Sequence, residues 1–171
     1  MRRAIVTSLL FAFAAHAQAS DRVPSLLNSF SAMCLVVPVD FNRIKRKAQA
    51  MRLPVRQDVE PPPDSNGYFA RSISWLLPLT TGPHEFVVTD GHGPRGNVKG
   101  CGIGATDVQG TEIKAEMMTT MHLGFPLSEQ DAPDGKHITI WNYGPSRSKL
   151  ILADGSSRNQ PGFYLTLLEG P

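Results

Sequence analysis

Val98-Lys99-Gly100-Cys101-Gly102-Ile103-Gly104 alternates glycine with larger residues, and a period of two is that of a β-strand. A strand over residues 98–103 sends Lys99, Cys101 and Ile103 to one face. It leaves Gly100, Gly102 and Gly104 as bare backbone on the other, where a neighbouring group approaches closely. The expected covering element is the helix that follows, or the N-terminal helix that carries the second cysteine; the alternative occupant is a ligand.

That second cysteine is Cys34, and Cys34 and Cys101 are the only two in the chain. Neither belongs to a Cys-x-x-Cys motif or stands beside a run of histidines, so the pair reads as a structural disulfide rather than a metal or redox site. Closing a loop of this length stabilises the fold by roughly 4 kcal/mol through the entropy of the unfolded chain.

Toward the C-terminus, Thr106-x-x-Gln109 has the form of a capping box. It predicts a helix over 107–123 with Ile113, Met117 and Met121 inward and Gly124 as the residue after its end. Strands are expected at 137–143, 149–153 and 163–168, with Asp154-Gly155 and Gln160-Pro161-Gly162 delimiting the last connection. Toward the N-terminus, residues 90–97 are turn-rich and residues 85–89 form a strand. Ile73, Trp75, Leu77 and Leu79 alternate with Ser72, Ser74 and Leu76 in another. Residues 60–67, rich in proline, make an extended loop within one domain.

Asp40 caps a helix over 41–51 whose inward face is Phe41, Ile44, Ala48 and Met51, stopped by Pro54. Leu26, Leu27, Phe30 and Met33 mark an earlier helix with Cys34 at or just past its end. The order is two helices, three strands, one helix and three strands. It predicts an α+β fold with a mainly antiparallel sheet of about six strands and the helices packed on it. The two three-strand groups read as paired meanders, with no recognisable internal repeat.

The first residues carry an address. Arg2 and Arg3 precede an apolar run over 5–15, and Ala15-His16-Ala17 and Ala17-Gln18-Ala19 each offer a small-x-small cleavage site. The run falls short of the roughly 20 apolar residues of a membrane span. No cysteine follows it for lipid attachment, and the rest of a twin-arginine motif is missing. Residues 1–19 are therefore expected to be a cleaved signal peptide, leaving residues 20–171 as a single periplasmic or secreted domain with no transmembrane segment. The full chain has 17 Lys and Arg against 15 Asp and Glu. Losing Arg2 and Arg3 leaves it formally neutral, which removes the global attraction on which nucleic-acid binding rests.

Candidate chemistry is sparse. In His84-Glu85 and Asp90-x-His92, a strand of roughly 20 Å separates His84 from the rest. Asp90 and His92 remain as a catalytic or metal pair, against the plainer reading of a solvated turn. There is no Gly-x-Ser-x-Gly nucleophile elbow. Gly102-Ile103-Gly104 lacks the third glycine and the acidic residue of a dinucleotide fingerprint. Met118, Met121 and His122 at helical spacing suit Cu(I), although methionine also fills cores. Arg43, Lys45, Arg46 and Lys47, with Arg52, form a basic helix surface suited to an anionic lipid, a lipopolysaccharide or an acidic partner, or simply solvated. Trp75, Trp141, Tyr143 and Tyr164 form either a binding surface or core. No cofactor is implied. The expected role is an exported binding or assembly module of the cell envelope, with an envelope component or protein as partner. The alternatives are an exported hydrolase or metal-dependent enzyme using Asp90 and His92, or a copper-binding protein.

Overall fold

A computed structural model describes residues 21–60, 62, 69–93, 96–144 and 148–170. The segment read as a signal peptide and most of the proline-rich loop lie outside them. One antiparallel sheet of eight strands runs in the order β1-β2-β3-β4-β8-β7-β6-β5. The strands are β1 (Val55–Val59), β2 (Phe69–Leu79), β3 (Gly82–Gly93), β4 (Gly96–Ala105), β5 (Ser128–Asp131), β6 (His137–Tyr143), β7 (Ser148–Asp154) and β8 (Phe163–Glu169). The helices are α1 (Arg22–Cys34), α2 (Phe41–Ala50) and α3 (Gly110–Thr120). Among the described residues no helix is long and apolar enough to cross a membrane.

The fold is thus α+β and antiparallel, with eight strands rather than six. The two unpredicted strands are the sheet's edges. Every residue of β5 is exposed, as are four of the five in β1. Their sequences, Val-Arg-Gln-Asp-Val and Ser-Glu-Gln-Asp, bury no alternate face that could reveal a strand. Charged, short edges of this kind resist pairing with other chains.

The helices differ from expectation at their ends. Asp40 caps α2 by accepting a hydrogen bond from the Arg43 amide at 2.9 Å, but Met51 is half exposed rather than inward. In α3 the capping box does not form. Gln109 occupies the N-cap position without a side-chain bond, Asp107 is drawn instead to Arg22 at 2.7 Å, and the Val108 carbonyl accepts from the Gly162 amide. At its other end His122, not Gly124, takes the left-handed conformation, at φ 50°. Residues 90–93, read as part of a turn, continue β3.

All three helices supply one face of the core. Leu26, Leu27, Phe30, Phe41, Ile44, Ile113 and Met117 pack on Trp75, Phe86, Ile103, Trp141, Leu150, Leu152, Leu165 and Leu167. Cys34, the last residue of α1, is bonded to Cys101 of β4. Arg22, 6% exposed, ties the start of α1 to the sheet by donating to the Pro83 carbonyl and the Asp107 carboxylate.

The registers reveal a repeat that the residue pattern does not. Each half is a helix followed by a four-strand meander, α2 with β1–β4 and α3 with β5–β8. The halves meet where β4 pairs with β8. Trp75 faces Phe86 across β2 and β3 as Trp141 faces Leu150 across β6 and β7. Arg71 faces Asp90 as His137 faces Asp154. Asp90-Gly91 and Asp154-Gly155 therefore match. The buried sets Phe41, Ile44, Ala48 and Gly110, Ile113, Met117 share one spacing. An approximate two-fold axis normal to the sheet passes between β4 and β8. Identity survives only at scattered positions, and the two central hairpins differ in length, so no sequence signature remains.

Candidate functional site

The glycines of β4 lie on the sheet face opposite the helices. What covers them is neither helix but the adjacent strand β8. A Cβ on Gly104 would stand 2.5 Å from the Tyr164 ring, one on Gly102 would stand 2.9 Å from the Thr166 hydroxyl, and one on Gly100 would touch Leu168. The reason is register: Gly104 pairs with Tyr164, Gly102 with Thr166 and Gly100 with Leu168. Side chains of β8 thus lean across a strand that has none.

Tyr164 forms part of the floor of a cleft of about 500 Å³ at one end of this helix-free face. The floor is a single cross-strand row, Leu76, Glu85, Gly104, Tyr164 and Ala153, each paired with the next on five adjacent strands. Two loops wall it. The β5–β6 turn closes through Ala132 and Lys136, and the β7–β8 connection is held by Gly155 donating to the Gly162 carbonyl and Gln160 to that of Gly155. The loops are fastened together: the Ser157 hydroxyl donates to the Gly135 carbonyl, and the Arg158 guanidinium packs where a Cβ on Gly135 would stand. Gly135 has φ +80°, a conformation glycine adopts without steric cost.

The charges around this cleft are paired. Arg56 of edge strand β1 meets Glu85 at 3.2 Å, and Lys136 meets Asp134 at 3.3 Å. Asp154, 3% exposed, accepts from the Ser156 amide at 2.7 Å. Burial, with the negative charge of Glu85 nearby, pushes the Tyr164 hydroxyl above its ordinary pKa, so it stays a neutral donor. A cleft of this volume, part apolar and part polar, has the size and lining of a small-ligand site.

The predicted candidates are dispersed. His92 Nε2 comes within 3.6 Å of Asp90 Oδ1, while Arg71 holds the other carboxylate oxygen at 2.9 Å and Asn97 lies 2.8 Å from His92 Nδ1. Among the described residues no three His, Cys, Asp or Glu side chains gather as metal ligands. Met118 and Met121 pack partly buried against the core, and α3 ends before His122, which is exposed. Of the basic set, Arg43 donates to the Val36 and Pro38 carbonyls and Lys47 to that of Ala32, so both serve the α1–α2 connection; Lys45 is half-buried and Arg46 exposed. His84 lies at the far end of β3 from Asp90, as the strand length requires. It is 2% exposed, with only the Gly82 backbone in reach of its ring. Burial, with Arg22 nearby, lowers its pKa to about 4.

Of the four strand aromatics, Trp75 and Trp141 are core and Tyr143 packs against it. Only Tyr164 reaches the cleft. The sequence signal for this site was the glycine alternation; missing was the register that sets Tyr164 beside it. No family model, curated protein or solved structure matches the chain.

Proposed function

We propose that the protein is an exported, disulfide-tied binding module that holds its ligand in the cleft over Tyr164. The observation that carries this reading is the cleft itself, a floor drawn from five adjacent strands and walled by two interlocked loops. Binding sites gain affinity when the protein orders them before the ligand arrives. Export is supported by the positive, apolar and small-x-small pattern of residues 1–19 and by a disulfide of the kind that persists in oxidising compartments. The partner is an envelope component. The test is intact-mass spectrometry of the protein recovered from a periplasmic or culture fraction. A chain shortened to about Ser20 and lighter by two hydrogens is expected; a full-length chain with free thiols overturns export.

A second reading, an exported hydrolase centred on Asp90 and His92, is favoured by their 3.6 Å approach. Loss of a hydrolytic activity in His92→Ala with stability unchanged would support it. Equal activity in both proteins would dismiss it.

A further inference from the structure

We infer that the cleft binds a neutral oligosaccharide, with one sugar ring stacked on Tyr164; this rests on the binding reading above. Three ligand classes fit the walls poorly. An anion finds no unpaired cation in the lining, because Arg56 and Lys136 are held by Glu85 and Asp134 at 3.2 and 3.3 Å. A cation finds no unpaired carboxylate, because Glu85 and Asp134 are held by those same two side chains. An extended peptide needs a free strand edge on which to add its backbone. Every strand of the floor is interior, because β2, β3, β4, β8 and β7 each pair on both sides.

The features that remain are those a sugar uses. The electron-rich face of an aromatic ring attracts the weakly positive C–H faces of a pyranose. The Tyr164 ring reaches over both Gly102 and Gly104, which leave it room against the backbone. With its proton retained, the ring brings no charge to the floor. Around the floor, paired charged groups offer donors and acceptors together: Arg56 with Glu85 on one side, Lys136 with Asp134 on the other. Such mixed rims satisfy hydroxyls, each of which both gives and takes a hydrogen bond. The apolar ends of the row, Leu76 and Ala153, extend the floor beyond a single ring.

The experiment is nuclear magnetic resonance titration of the mature, oxidised protein with four separate probes: chitotriose, maltotriose, choline and inorganic phosphate. Saturable shifts of the Gly104, Ala153 and Tyr164 amides with either trisaccharide, and none with choline or phosphate, are expected. Tyr164→Ala should weaken that binding by up to about tenfold, and Tyr164→Phe by no more than about twofold. Glu85→Gln, which leaves the ring in place, should weaken it severalfold if Tyr164→Ala fails to fold. Shifts of the same amides by choline or phosphate but neither sugar would overturn the oligosaccharide and leave the cleft as the binding site. Silence of the row toward all four would remove both.

Discussion

Asp90 of β3 in the first half of the sheet and Asp154 of β7 in the second occupy matching positions, each buried and facing a basic residue on the next strand outward. Their neighbours have diverged. Above Asp90, Arg71 bonds the carboxylate and lies 4.1 Å beneath the Phe41 ring at the start of α2. Above Asp154 there is no such layer. Gly110 opens α3 directly on the aspartate, where a Cβ would come within 2.1 Å of that of Asp154. The matching cation, His137, has turned to Asp131 and Glu129. The skeleton of the repeated unit tolerates this because Trp75 and Trp141, with Ile44 and Ile113, keep the packing. The groups around each aspartate are then free to differ. The central strands have diverged most: β4 is stripped to glycine where β8 supplies the tyrosine, threonine and leucine that cover it.

The disulfide ties α1, which stands outside both halves, to β4 of the first half alone, so removing it should widen the contrast most. Replacing both Cys34 and Cys101 by Ala is expected to cost about 4 kcal/mol in urea unfolding. A loss below about 1 kcal/mol would mean that α1 is held to β4 by packing.

His84 has Ser148 as its counterpart, so only the first half should carry an acid-sensitive histidine. Its folded pKa of about 4 lies below the ordinary 6.5. Between those values the unfolded chain binds the extra proton. Stability is therefore whole above about pH 6.5 and falls as pH drops toward 4, by roughly 3 kcal/mol in all. Denaturant midpoints across this window should slope in the native protein and flatten in His84→Gln; equal slopes would refute the assignment.

Gly110→Ala tests whether the second half needs its bare contact. Forcing a methyl against Asp154 should destabilise by about 2 kcal/mol by thermal melting. No change would show that α3 slides freely over the sheet.

The smallest effect concerns His137. Hydrogen bonding to Asp131 raises its pKa, with Glu129 adding to this. Its contribution is whole below the ordinary value and disappears as pH rises through the raised one. His137→Asn should cost about 0.5 kcal/mol at pH 6 and less at pH 9. A cost that grows with pH would reverse the assignment.

Where a strand buries one face, the sequence declared it: Ile73, Trp75 and Leu77 alternate, and β6, β7 and β8 lie within a residue of their predicted bounds. The disulfide was legible because only one pairing exists. Edge strands were silent because their pairing is made by backbone alone, and backbone hydrogen bonds leave no mark on residue type. The cleft was half legible. Three alternating glycines announced a close approach, but the approaching group was Tyr164, sixty residues on in the sequence from Gly104, and only register joins them. The repeat stayed hidden because it lies in positions and burial, with only scattered identities such as Trp75 and Trp141.

The pairing of β4 with β8 also sets a schedule. The strand that joins the two half-sheets is the one that begins at Phe163, so a chain ending before it has a first meander with an open inner edge and a second lacking its fourth strand. Local hairpins can form and reform as the polypeptide grows, yet the central seam waits until Phe163–Glu169 has been made. Contacts between such distant segments are slow to find. The molecule therefore commits to its final shape late, and a truncated product, unable to close the seam, keeps an unpaired inner edge on which another chain can add.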